Sequence, residues 1–228
     1  MCLETRQCIS KCHRSAAAEK FEGKTMTSHT EIGKFARGVL CRTSALSTVM
    51  LFLITATPAS AYKWLEMDWS YQANPVETHF VVCENDAPVG ASARIKEAAA
   101  KWNYTKLKFV FDEDDCPAQT PKNYVVFDTF PQMNAAVSDT KNVPATNKMT
   151  GCVIHFNKNR FWYVGNGTPD ADENDLFSVA LHEFGHCLGL DHVGVNGVVM
   201  QEKLDAGKQL RQLTPDDIAG RNNIYGSP

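Results

Sequence analysis

No run in this 228-residue sequence is both apolar and long enough to cross a bilayer comfortably. The most apolar stretch, Ala45 to Ala56, has about a dozen residues where a spanning helix needs about 20. Basic charge is not in excess either: 23 Lys and Arg face 26 Asp and Glu, a formal net charge of -3. With no dominant basic stripe, the sequence argues against a nucleic-acid partner. It contains no internal repeat and no low-complexity tract. Histidine is missing altogether from Asp112 to Val153, so that stretch offers a metal no imidazole. What is present is ordinary for a globular protein, with 43% hydrophobic and 21% charged residues. The length suits one domain with a sizeable core, plus a small appendage.

The appendage is N-terminal. A basic stretch (Lys34, Arg37, Arg42) precedes the apolar run "ALSTVMLFLITA", and "TPASA" follows it up to Tyr62. These are the three parts of a secretory signal peptide, placed at 34–61, with Ala59-Ser60-Ala61 as its small-residue cleavage site. The rival reading is an uncleaved membrane anchor. Cleavage after Ala61 leaves residues 62–228 as the mature domain, in an extracellular, secreted setting and with no stable membrane insertion. Residues 1–33 form an upstream extension outside the mature protein, and Met26 makes a better initiator than Met1. Cys2, Cys8, Cys12 and His13 lack zinc-ribbon spacing, and no second cysteine pair follows them.

Four cysteines remain beyond the signal: Cys83, Cys116, Cys152 and Cys187. An even count in an exported chain suggests two disulfides, and four cysteines allow three pairings. Cys83 ends one strand pattern and Cys116 follows another, which favours Cys83–Cys116 and so Cys152–Cys187.

Hydrophobic periodicity gives the element order. "VETHFVV" (76–82) alternates as a strand. "ASARIKEAAAKWN" places Ala91, Ile95, Ala98 and Trp102 on one helical face. "LKFVF" (107–111), "YVVFDTF" (124–130) and "CVIHFN" (152–157) read as strands, and "NAAVS" as a short edge strand. A loop with Gly165, Gly167 and Pro169 leads to a helix from about Asp175 to Leu188. A second long helix closes the chain, with Thr214 as N-cap, Pro215 at its first position and Asp217 at the capping-box position. This order implies an α+β domain, a mixed α/β layer rather than a doubly wound sheet.

The chemistry concentrates in "HEFGHCLGLDH", 182–192. His182 and His186 lie four apart, so on a helix they project from one face. Gly189 suits the left-handed conformation that ends a helix sharply. The chain then doubles back, and His192 can bring a third imidazole to the same ion. Three neutral nitrogens leave a fourth tetrahedral position for water, the pattern of a catalytic zinc. Glu183 sits one step round the helix, beside the metal rather than on it, where it can act as general base. By average residue usage, H-E-x-x-H-x-x-G-x-x-H arises by chance in about one chain of this length in a hundred thousand.

With these residues the chain resembles the metzincin metalloproteases, and among them the matrixins. "VALHEFGHCLGLDH", Met200 eight residues after His192, the terminal "LTPDDIAGRNNIYG", "AAAKWN" and "HFN" at His155 carry the likeness, which covers nearly all of 62–228. The resemblance implies a metzincin catalytic domain: a twisted, mostly parallel sheet with an active-site helix and a C-terminal helix. It implies one catalytic Zn2+ on His182, His186 and His192, Glu183 as base, Met200 in a turn beneath the metal, and hydrolysis of internal peptide bonds in protein or peptide substrates. It also implies an extended substrate bound along an edge strand, for which Asn134, Ala135, Ala136 and Val137 are the candidates.

The departures are specific. Val193 stands where matrixins carry Ser or Thr, and Gln201, Glu202 and Lys203 replace the usual Pro-x-Tyr after the methionine. No tyrosine just after Met200 offers a further ligand. No cysteine-switch propeptide and no C-terminal propeller are recognised, so a minimal, monomeric, single-domain enzyme is expected. A second, structural zinc needs four ligands; only His155 matches a position for one, and His79 is expected to be too distant, so one zinc per chain is expected. The acidic runs Asp112–Asp115 and Asp170–Asp175 could bind Ca2+, although such runs are more often solvated loops. Asn103-Tyr104-Thr105 and Asn166-Gly167-Thr168 match the N-glycosylation acceptor pattern, which alone says nothing about use. The reading of a different class is a secreted, zinc-dependent binding module without turnover; the intact Glu183 argues against it.

Overall fold

Alternation in "VETHFVV" buries Val76, Thr78 and Phe80 and turns Glu77 and His79 outward, as one face of a sheet against a core requires. In the computed structural model the described residues are 61–112, 116, 122–130 and 134–228. The upstream extension, the signal segment ahead of Ala61 and residues 113–115 of the first acidic run lie outside them.

The strands are β1 (Lys63–Trp64), β2 (Val76–Val82), β3 (Leu107–Phe111), β4 (Asn123–Asp128), β5 (Ala136–Asn142), β6 (Met149–Asn157), β7 (Trp162–Tyr163), β8 (Asn174–Asp175) and β9 (Leu190–Asp191). The helices are α1 (Ala91–Ala100), α2 (Leu176–Cys187) and α3 (Pro215–Tyr225). The main sheet has the order β3-β2-β4-β6-β5. The β2–β3, β2–β4 and β4–β6 pairs are parallel, and β5 alone runs antiparallel, at the edge beside β6. This is the mostly parallel sheet of the α+β domain that the resemblance implies.

Three differences from the sequence reading concern strand ends, the first being that β6 starts at Met149, three residues ahead of Cys152. β4 spans Asn123–Asp128, so Thr129 and Phe130 are not part of it. β5 starts at Ala136, so Asn134 and Ala135 precede the strand, which continues through the polar residues Ser138 to Asn142. An edge strand needs only one apolar stripe, so its polar half carries no hydrophobic signal.

Helix α2 is the spine of the domain. Leu176, Ala180, Leu181, Phe184 and Cys187 are fully buried along it, and α1 packs against it. Phe184 meets Phe80, Phe109 and Phe111 of the sheet at ring-centroid distances of 5.3, 4.9 and 6.0 Å, within the range of favourable edge and tilted contacts. Buried polar tips fix the helix in place. The Trp102 indole donates to the Leu181 carbonyl (2.8 Å), the Trp69 indole to the Cys187 carbonyl (2.8 Å), and the Tyr225 hydroxyl to the Leu188 carbonyl (2.7 Å). The last two satisfy carbonyls at the helix end that have no partner within the helix.

Cap chemistry sets both helix boundaries. Asp175 is the N-cap of α2 and accepts from the Ser178 peptide N–H at 3.0 Å. Thr214 caps α3, with Pro215 at N1 and a reciprocal capping box with Asp217. After α2, Gly189 adopts φ +101°, and a β-carbon there would collide with the Met67 carbonyl. Only glycine allows the chain to turn at this point so close to the N-terminal segment. Two disulfides tie the layers, Cys83–Cys116 and Cys152–Cys187, with Cα separations of 5.1 and 5.6 Å. The second links β6 to the last residue of α2. No helix among the described residues is long and apolar enough to cross a membrane.

Candidate metal centre

His182 and His186 project from one face of α2, and the turn at Gly189 delivers His192 to the same point. The three Nε2 atoms lie 3.1 Å from one another in every pairing. The opposite ring nitrogen decides what these atoms are. His182 Nδ1 lies 2.7 Å from the Val199 carbonyl, and His186 Nδ1 lies 2.8 Å from the Leu190 carbonyl. A carbonyl only accepts, so each Nδ1 carries the proton and each Nε2 is a bare lone pair. Lone pairs held this close repel unless a cation sits among them. Two nitrogens bound about 2.0–2.1 Å from a tetrahedral ion stand about 3.3 Å apart, near the observed spacing. Among the described residues this is the only group of three or more His, Cys, Asp or Glu side chains that could share an ion. The donor set therefore fits zinc.

Titration follows the same logic. Burial, reinforced by the neighbouring His182, pushes the His186 imidazole down to about 3, only partly offset by the Leu190 carbonyl. Burial also lowers His182, against the pull of the Val199 carbonyl and Asp217. His192 is lowered by burial and by His182, against Asp191, Glu183 and Glu202. All three rings are thus neutral near neutral pH, the form that binds a metal.

Glu183 is 6% exposed, and its Oε2 is buried without a hydrogen-bond partner. Such an orphan is expensive unless a further molecule meets it. Burial pushes the carboxyl up to about 7, against the opposing pull of the Ser138 hydroxyl, His192 and the Ser138 peptide group. A carboxyl poised near neutrality can accept and return a proton. Ser138, which faces it from β5, escaped the sequence reading because nothing local marks a serine on an edge strand.

Met200, 2% exposed, packs against Gly185 of α2. A β-carbon on Gly185 would collide with its sulfur and approach Trp102 to 3.1 Å, so glycine is required where helix, methionine and tryptophan meet. Val193 is buried, bridges to Gln201 and donates its N–H to the Met200 carbonyl at 2.9 Å. It thereby closes the loop between the third histidine and the methionine. Asp217 fastens that loop to α3: its carboxylate accepts from the N–H groups of Val199 (3.1 Å) and Met200 (3.2 Å) and from the Thr214 N–H and hydroxyl. The sequence marks Asp217 as a helix cap, but its hold on residues 199–200 emerges only in the folded chain.

The histidines face a cleft of about 1150 Å³. Asn134, Ala135, Ala136, Val137 and Ser138 form one wall, while Gln201, Glu202, Lys203 and Leu204 contribute to the other. The β5–β6 register pairs Val137 with His155, and Asn157 donates to the Ala135 carbonyl at 2.8 Å. Peptide groups in an antiparallel pair point inward and outward alternately. Ala136, Ser138 and Thr140 therefore present theirs at the outer edge, while those of Ala135 and Val137 are directed to β6. Asn134 gives its carbonyl to the Asn157 side chain at 3.4 Å.

The remaining candidates lie elsewhere. His155 Nδ1 meets Asp128 at 2.9 Å, and His79 Nδ1 meets Asp112 at 2.9 Å. Of the run Asp170–Asp175, the last carboxylate is buried, caps α2 and pairs with Arg211, while Glu173 accepts from the Asp170 N–H.

A family model described as matrixin matches residues 90–226. The chain belongs to the matrixin family. Its relatives include mouse matrilysin, 46% identical over 74 residues, which cover 32% of this chain and 26% of that protein. Metalloendoproteinase 5-MMP of Arabidopsis thaliana is 35% identical over 88 residues, covering 36% of this chain and 24% of its own length. Human stromelysin-3 is 37% identical over 75 residues, covering 33% and 14%. The matched stretch thus spans about a quarter or less of these matrixins.

Proposed function

We propose that the chain is a secreted zinc endopeptidase that hydrolyses internal peptide bonds. The observation that carries this reading is the convergence of three Nε2 lone pairs beside a buried, unpartnered Glu183 oxygen. His182, His186 and His192 hold the metal. Zinc, when bound, makes water a nucleophile near neutral pH and polarises a carbonyl oxygen. Glu183 takes the proton of the attacking water and passes it to the departing amine. Its partner Ser138 orients the carboxyl from the cleft wall. An extended peptide pairs with the outward peptide groups of Ala136 and Thr140 and with the Ser138 carbonyl, which aligns the scissile bond with Glu183. Met200, fixed by Asp217, supports the rings from below.

Export supplies the oxidising setting in which the two disulfides persist, with Tyr62 as the mature N-terminus. The product is a monomeric enzyme acting on proteins or peptides, with no stable membrane insertion after signal removal. Glu173 and Asp175 of the second acidic run are engaged in local hydrogen bonds, and no calcium is assigned to that run.

The test is cleavage of casein by the purified chain, with and without a chelator. Chelator-sensitive cleavage at internal bonds, restored by zinc, is expected. Absence of cleavage by zinc-loaded protein would leave a metal-binding module instead.

A further inference from the structure

The two acceptor-pattern asparagines occupy opposite environments. Asn103 follows α1, and its side-chain amide works as a structural element. Its Oδ1 accepts from the Phe109 N–H at 2.7 Å, and its Nδ2 donates to the Phe109 carbonyl at 3.4 Å. The amide thus pairs with the backbone of β3 as a strand residue would, and Nδ2 is directed at the protein. Asn166 is the reverse: it is exposed, and no hydrogen bond engages its side chain among the described residues.

The backbone around Asn166, by contrast, is firmly held. The Gly165 carbonyl accepts from Arg94 (3.2 Å) and Arg211 (3.1 Å), the Asn166 carbonyl accepts from Arg211 (2.8 Å), and the Gly167 carbonyl accepts from Gln209. Three side chains therefore fix the loop and leave the asparagine amide outermost. Thr168, the third residue of the pattern, is exposed too. Beside the loop lies a shallow concavity of about 540 Å³ lined by Arg94, Glu97, Lys101, Asn166 and Arg211. It gives a first sugar polar surface to rest on. Asn166 is not among the residues of the metal-centre cleft, so an added glycan leaves that cleft open.

We propose that Asn166 is an N-glycosylation site and that Asn103 is not. The proposal rests on the export reading above, since the modification requires passage through a glycosylating secretory compartment. The donor is an oligosaccharide activated as a lipid diphosphate. A bond forms between Asn166 Nδ2 and the anomeric carbon, the carbon–oxygen bond to the diphosphate breaks, the lipid diphosphate leaves, and Nδ2 loses one of its two protons to solvent. The side chain keeps one N–H and its carbonyl, and no hydrogen bond of the folded protein is given up. The same reaction at Asn103 would place the sugar against Phe109 and disrupt the pairing with β3.

The experiment is expression of the full chain in a eukaryotic secretory cell, followed by treatment of the secreted protein with an endoglycosidase that removes N-linked glycans. The wild type is expected to lose the mass of a single glycan. Asn166→Gln and Thr168→Ala are each expected to abolish that shift and retain secretion and casein cleavage, while Asn103→Gln retains the shift. A secreted wild type without a shift, or a shift that survives Asn166→Gln, overturns this inference alone. A chain retained unprocessed in the cytosol overturns the export reading and this inference with it.

Discussion

The five histidines of the described residues fall into two sets, a converging triad and two that stand apart, and in four of them the partner of Nδ1 marks the difference. In His182 and His186, Nδ1 donates to a backbone carbonyl, which leaves Nε2 bare and fixes the ring. In His79 and His155, Nδ1 is engaged by a carboxylate, Asp112 or Asp128, and no second or third imidazole converges. The triad stands on a capped, buried helix and a glycine turn. The other two stand on the strands β2 and β6. A metal centre thus depends less on the number of histidines than on rigid convergence and on a proton parked at the far nitrogen.

The largest effect is expected where convergence is broken. His186→Ala removes one of the three proposed ligands, so bound zinc and casein cleavage should both fall to background, as read by elemental analysis and a turnover assay. His155→Ala should retain one zinc per chain and cost only about 0.5–1.5 kcal/mol of stability, through the lost hydrogen bond to Asp128. Zinc lost from the second variant would erase the distinction between the two sets.

Support beneath the rings comes next. Asp217→Ala leaves the Val199 and Met200 N–H groups buried without an acceptor, and Val199 also holds His182 through its carbonyl. A drop of about 10–100-fold in zinc affinity is expected by chelator competition, with about 1–3 kcal/mol of stability lost in urea unfolding. Unchanged affinity would mean that the loop holds itself.

The two disulfides should differ in the same way. Cys152 and Cys187 are fully buried, and Cys187 adjoins His186, whereas Cys116 is exposed. Replacing either pair by alanine should cost about 2–4 kcal/mol. Only the Cys152–Cys187 replacement should also weaken zinc binding, because it frees the end of α2.

Much of this was legible in the sequence because its determinants are local. Ligand spacing, the cap at Thr214 and the turn at Gly189 each need only a few consecutive residues. What escaped depends on distant partners or lacks periodicity. Strands β1, β7, β8 and β9 have two residues each, too few for any pattern. The polar half of β5 reads as loop because its outer edge faces solvent and the cleft. Ser138 opposite Glu183, Arg211 on Asp175 and Asp217 beneath residues 199–200 are contacts between segments far apart in the chain, which no local motif announces.

The smallest effect concerns pH in the metal-free protein. His186 is held at about 3, against an ordinary value of 6.5. The unfolded chain therefore binds more protons between those values, and stability should rise with pH across that window. Glu183 is raised from 4.5 to about 7. Its folded form holds the extra proton, so its contribution is full below 4.5 and is lost as pH rises through 7. The two slopes oppose each other between about 4.5 and 6.5. Glu183→Gln removes the opposing one, so urea unfolding of the chelated variant should show a steeper rise over that interval; an unchanged slope would contradict the raised carboxyl.

Glu183 decides the proposed mechanism, in which it accepts the proton and does not ligate the metal. The deciding measurement is zinc content and casein turnover on one preparation of Glu183→Ala. One zinc per chain with turnover reduced by about 10²–10⁴-fold is the predicted result. Turnover near that of the wild type, or loss of the zinc along with the carboxylate, would contradict it.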